Sequence, residues 1–347
     1  SMLAGLAQQR GELPQALAPF EDRIALLRRA LRQRPHDRAL QRALAPKLGM
    51  VGQLHQTVGM PSMQQGDEAL RWIDEAAAIY DRLIAQENHR GDRLHRALLE
   101  SGQAVVHQRY DRLAESLACL ERAEAVLAAL VRESESLDSG VVHAHATVLN
   151  NLSFVQGRLG RHEQALASAA LALRRTEQLR EHDPDNRAWR QRWAIFGQGY
   201  AGSLIETARH AEALALLRRI EPVWHEDRAS ATSTPEQRNA GRREAINQRD
   251  QARCLLALGR ADEAATRLRA AEQTLAVLLQ AAPEDRELLL VQAETHAVAA
   301  QAEPAQAEAW RDSARTLYDA AGRVQPLSDD HLRARKALAF ASPRSAG

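Results

Sequence analysis

Residues 149–173 read LNNLSFVQGRLGRHEQALASAALAL. Eleven residues with a helical pattern precede Gly160-Arg161, and then an alanine-rich segment resumes that pattern. Glycine supplies the left-handed residue that ends a helix. Ala165, five residues later, has no bulk to hold a second helix away from the first. The stretch therefore predicts two antiparallel helices joined by a tight turn. The same heptapeptide recurs: Gly160 to Leu166 reads GRHEQAL, Ala208 to Leu214 reads ARHAEAL, and Gly259 to Ala265 reads GRADEAA. Weaker copies run from Gly11 to Leu17 and from Gly66 to Leu70.

A second marker precedes each helix pair. Pro35, Pro184 and Pro283 open PHDRALQ, PDNRAWR and PEDRELL, and Pro235 opens a degenerate PEQRNAG. Proline cannot continue the preceding helix, and the Asp or Asn behind it can cap the next one. At Thr234-Pro235-Glu236-Gln237 the pattern predicts a capping box with proline in the first helical turn. These prolines fall at multiples of roughly 50 residues, the signature of a repeat array. Two units without the proline start near Asp92-Arg93-Leu94 and near Asp138. The hairpins are expected at 3–34, 37–87, 92–133, 138–182, 187–227, 235–281 and 285–323. A last helix at 329–341, capped by Ser328 or Asp329, covers the open end of the stack.

Composition agrees with an all-α chain. Aromatics make up 4% of 347 residues, so the core must be built from Ala and Leu, both strong helix formers. Forty-six basic residues face forty-five acidic ones, leaving no net field to draw in nucleic acid or an anionic membrane. Lys47 and Lys336 are the only lysines; the arginines do not cluster. No apolar run is long enough to span a bilayer. Cys119 and Cys254 sit in apolar helical patterns and define neither a disulfide framework nor a zinc site. Ser1-Met2 reads as a cloning remnant before a single repeat domain at 3–341, with 342–347 as a disordered tail.

The large apolar Leu152, small Ser153, Gly160, Ala165 and Ala172 resemble the tetratricopeptide repeat, as do Tyr200, Ala201, Ala208, Ala213 and Ile220 in the next unit. The family unit is about 34 residues, so each helix here is longer by about two turns. The resemblance implies a right-handed superhelical solenoid of about seven antiparallel helix pairs with a C-terminal capping helix. Its concave groove would be lined by Asn150, Phe154 and Gly157, by Gln198, Gly202 and Ile205, and by Arg249, Arg253 and Leu256. Asn150 would clasp a peptide backbone, since its amide both donates and accepts. Arg249 and Arg253, on one helical face, would take an acidic group.

No signature of chemistry appears. A glycine-rich phosphate loop, HRD, DFG, Walker sequence, HExxH and nucleophile elbow are all missing from the sequence. His143 and His145, two residues apart, point about 200° from one another on a helix and do not share a metal; one should face solvent and one the core. His162 and His210 fall in hairpin turns. Glu133-Ser134-Glu135-Ser136 reads as a solvated connection, Ser230, Thr232, Ser233 and Thr234 as caps and linker, and Met60-Pro61-Ser62-Met63 as a loop. The chain is expected to be no enzyme and to hold no cofactor or metal. It should bind a protein or peptide in the groove, without nucleic acid or membrane insertion; the alternative readings are a homodimerisation unit and a cytoplasmic regulator or chaperone of the same repeat class. The stretched repeats and the turn at Asp183 to Asn186 also resemble the C-terminal repeat regions of bacterial eukaryotic-like serine/threonine kinases. That likeness implies a regulatory module on the periplasmic side of a membrane-anchored protein.

Overall fold

A computed structural model describes residues 13–56 and 66–340. The connection at 57–65 with its Met60-to-Met63 loop, the first part of the hairpin at 3–34, and the tail lie outside the described residues. Fourteen α-helices and no strand are found among the described residues. The chain divides after His182 into two compact units.

The first unit holds α1 (Leu13–Gln33), α2 (Arg38–Gln56), α3 (Gly66–Glu87), α4 (Arg90–Arg109), α5 (Leu113–Arg132), α6 (Ser139–Arg158) and α7 (His162–His182). Each helix packs chiefly on its neighbours in sequence. Leu44, Leu48, Ile73, Ala76, Tyr80 and Leu83 bury one core between α1 and α4; Leu117, Leu120, Leu127, Val148 and Val155 bury the next. Arg38 at the start of α2 pairs with Glu87 at the end of α3, and Arg93 at the start of α4 pairs with Glu133 just past α5. First turn meets last turn, so the pairs run antiparallel.

The second unit holds α8 (Arg187–Glu206), α9 (His210–Ala229), α10 (Thr234–Ala257), α11 (Ala261–Ala281), α12 (Arg286–Ala302), a 3-10 turn at Pro304–Gln306, α13 (Ala307–Val324) and α14 (Asp329–Phe340). Ala245, Ala271, Leu275, Leu288 and Val291 form one core, and Leu290, Ala293, Tyr318 and Ala321 the next. Leu338 of α14 packs on the latter, and Ser328 caps that helix by accepting from the His331 amide.

The turn marker is realised as expected. Gly160 and Gly259 adopt φ of 73° and 74°, and Ala208 takes φ 58° without being glycine. In each case the following arginine amide reaches back to close the helix: Arg161 to Gln156, Arg209 to Leu204 and Arg260 to Leu255, all at 2.8 Å. This is the Schellman pattern. A fourth copy, unread in the sequence, sits at Asp111, with φ 59° and Arg112 N–H donating to His107 at 2.9 Å. Ala165, Ala213 and Ala264, five residues past three of these turns, are all buried.

One cap prediction needs correction. Asp138, Asn186 and Asp285 do cap α6, α8 and α12. At α10, however, Ser233 rather than Thr234 accepts the Glu236 amide, while the Glu236 carboxylate takes the Thr232 amide at 2.9 Å. Before α4, His89 supplies the cap. Asp92 lies inside the helix, buried, and binds Arg42 through bonds of 2.8–3.1 Å.

Arginine has an architectural use. Arg42–Asp92, Arg158–Asp111, Arg238–Asp285, Arg249–Glu294, Arg253–Glu206 and Arg267–Glu221 join residues separated by one repeat, 45–50 positions. A planar fork on a long stem spans adjacent units better than a lysine point charge does.

Candidate ligand-binding face

In the second unit, α10 packs against both α8 and α12. Equivalent positions in successive units therefore form rows across three helices. Gln198, Arg249 and Glu294 make one row, Gly202, Arg253 and Val298 another, and Ile205, Leu256 and Gln301 a third.

The first row is closed by internal bonds. Gln198 donates to Asp250 Oδ2 at 2.6 Å and accepts from Asn247 at 3.2 Å. Arg249 donates from Nε and Nη2 to Asp250 Oδ1 at 3.0 and 2.9 Å, and from Nη1 to Glu294. Its side chain is 12% exposed. Burial works to depress the Arg249 pKa, but Asp250 and Glu294 outweigh it and hold the group above its ordinary value. Arg249 is a strut between α10 and α12, with its donors committed to protein carboxylates.

The other two rows open outward. Ile205, Glu206, His210, Arg253, Leu256 and Val298 line a cleft of about 560 Å³ with Gln301 at its edge. Its floor is apolar and its rim carries one cation, one anion and one imidazole. Arg253 is 38% exposed, held by Glu206 at 3.2 Å and more loosely by Asp250 at 3.9 Å. Three of the positions expected to face a ligand, Ile205, Arg253 and Leu256, thus meet in one cleft. Glu206, Val298 and Gln301 carry no sequence signal of their own, and His210 carries only that of a turn.

Asn150 and Phe154 lie on α6 of the first unit, where α4 packs alongside. Phe154 is 55% exposed, a large apolar side chain left facing water. Asn150 is half-buried, and its backbone carbonyl accepts from Ser153 Oγ at 2.8 Å.

The remaining candidates are structural. His145 is the packed member of its pair, 3.3 Å from Glu124; His143 is half-buried. Ser230 and Thr232 bond within their own turn. Glu133 pairs with Arg93, and Ser134 bridges Arg90 and the Leu130 carbonyl. Burial pushes both cysteine thiols up to about 11, away from reactivity. Among the described residues no group of three or more His, Cys, Asp or Glu is placed to hold a metal, and no helix is long and apolar enough to cross a membrane.

No family model matches the sequence, and no curated protein matches it. Solved structures do. BtubC (BKLC) from P. vanneervenii is 16% identical, with a TM-score of 0.57 over 77% of this chain and 92% of that one. RapI in its apo form is 13% identical, with a TM-score of 0.53 over 96% and 83%. Nro1, the hypoxic regulator of sterol synthesis described as a nuclear import adaptor, is 13% identical, with a TM-score of 0.50 over 94% and 99%. The fold is that of TPR-like helical-repeat proteins. At these identities the likeness extends to fold alone.

Proposed function

We propose that the chain is a non-catalytic module that binds a protein or peptide segment in the cleft between α8, α10 and α12. The observation that carries this reading is the pairing of an apolar floor, Ile205, Leu256 and Val298, with a reachable cation at Arg253 and an anion at Glu206. Apolar contacts supply affinity there, and the charges fix orientation. Peptides selected by display against the full chain should bind the wild type. They should lose at least tenfold in affinity to Leu256→Asp, whose thermal midpoint stays close to wild type. Equal affinity for the folded variant would remove the cleft from the account.

On the kinase-region resemblance we also propose a finer role: the regulatory repeat region of a bacterial signalling serine/threonine kinase, on the extracytoplasmic side. The reading frame that encodes this chain should then also encode a kinase domain and a membrane span. A frame with neither would end that reading and leave the binding module intact.

A further inference from the structure

A second cavity, of about 530 Å³, opens on the same helices nearer their starts, with Gln191 and Ile195 of α8, Trp224 of α9, and Asn239 and Arg243 of α10 among its lining. From Ile195 to Ile205 is about 15 Å along α8, a span that about five extended residues cover.

Arg243 is a half-buried arginine stacked on an indole ring. Its guanidinium carbon lies 5.4 Å from the centroid of the Trp224 ring, and no hydrogen bond or ion pair to it is found among the described residues. Burial, with Arg242 and Arg192 adding repulsion, lowers its pKa to about 10, and Asp227 opposes this only in part. The group stays charged at neutral pH, and Asp227 acts on it only from beyond ion-pair distance, so it has no directly bonded anion of the kind a desolvated cation requires. Trp224 is 1% exposed, and its Nε1–H has no acceptor. An unmet cation and a buried indole whose N–H is unmet both belong to the lining of one cavity.

The carboxylates already there are committed elsewhere. Asp227 accepts from Gln191 at 2.8 Å and from Arg187 at 3.2 Å. Glu236 is taken by Thr232. Their charge also sets an upper limit on what can enter: a singly charged anion is drawn to Arg243, whereas a dianion meets both carboxylates. Asn239 can donate to a second oxygen.

We infer that Arg243, Trp224 and Asn239 form a receptor for one carboxylate, presented as an Asp or Glu side chain of the segment that occupies the neighbouring cleft. The identity of the carrier rests on the peptide-binding reading; the anion site does not.

The test is an NMR titration of the full chain with sodium acetate at constant ionic strength, chloride being the balancing anion. The signals followed are the Arg243 Nε–H and the Trp224 indole N–H, the latter assigned with Trp224→Phe. Both should shift along a saturating curve, and the apparent Kd should rise at least tenfold in Arg243→Gln. Circular dichroism should show that variant to be folded, since the wild-type side chain makes no ion pair. Trp224→Phe, which keeps an aromatic ring and removes the N–H, should weaken acetate about threefold. Linear shifts in the wild type, or an unchanged curve in folded Arg243→Gln, would overturn the site. Inorganic phosphate binding tighter than acetate would overturn its assignment to a single carboxylate. A capped hexapeptide containing Asp should bind tighter than its Asn counterpart; equal binding alongside saturation by acetate would keep the anion site and overturn the peptide as its carrier.

Discussion

Arg249 and Glu294, 45 residues apart in sequence, are joined across α10 and α12 by an ion pair, and Arg249 also grips Asp250 on its own helix. The pair occupies matching positions of consecutive repeats, so it ties the period to the packing. Asp250 is almost fully buried, and removal of Arg249 leaves its charge with only the Gln198 amide and, at 3.9 Å, Arg253. Arg249→Met should cost about 3 kcal/mol, the usual price of breaking a buried pair from one side. Arg253→Gln, at a more exposed site, should cost under about 1 kcal/mol. Urea denaturation of both variants measures the difference. Near-equal losses would mean that Arg249 is no strut.

Only one of the two arginines that share a face on α10 is thus free to answer a ligand without loss of structure. Charge reversal at both would confound folding with recognition; reversal at Arg253 alone separates them.

Ala208 holds φ 58° at a position where its counterparts are Gly160 and Gly259. A left-handed residue bearing a Cβ costs about 1–2 kcal/mol, partly offset by the larger unfolded-state entropy of glycine. Ala208→Gly should therefore stabilise the chain by about 0.5–1 kcal/mol. Gly160→Ala and Gly259→Ala should lose a similar amount, since a Cβ at either meets no atom within 4 Å and only the backbone objects. Asp111→Gly should gain less, because it surrenders the 2.9 Å ion pair with Arg158. Denaturant midpoints that fall in Ala208→Gly would contradict the turn assignment.

His145 is 1% exposed. Burial lowers its pKa below the ordinary 6.5, against the opposing pull of Glu124. Protonation is then easier in the unfolded chain than in the folded one. The associated stability is complete above pH 6.5 and is lost as the pH falls through the folded-state value. Burial likewise lowers His107. Stability measured from pH 7 down to pH 5 should fall, and should fall less steeply in His145→Gln. Parallel curves for the two proteins would show that His145 carries no part of the acid sensitivity.

The fold was legible because its punctuation is chemical. Gly160, Ala208 and Gly259 share a context that only a left-handed helix stop explains, and Asp138, Asn186 and Asp285 are short acceptors placed where helices begin. The turn at Asp111 carries no glycine to mark it, and its bond to Arg158 lies 47 residues away, beyond any local spacing. Asp92 marks a unit start in the sequence, but its burial against Arg42, one repeat away, carries no local signal. The rows of the face could be registered from the repeat, which brought Ile205, Arg253 and Leu256 to one cleft. The fate of each donor could not: Arg249 and Arg253 look alike in sequence, and what separates them is Asp250 packed beneath and Glu294 beside. Arg243 over Trp224 joins α10 to α9, and no repeat period links those two positions.

On this reading the cleft between α8, α10 and α12 is the working surface. A display-selected peptide carrying a photo-cross-linking residue can be irradiated with the full chain and its attachment points mapped by mass spectrometry. Cross-links should fall on Ile205 to His210, Arg253 to Ala257, and Val298 to Gln301. Cross-links confined to α11, α13 or the first unit would contradict it.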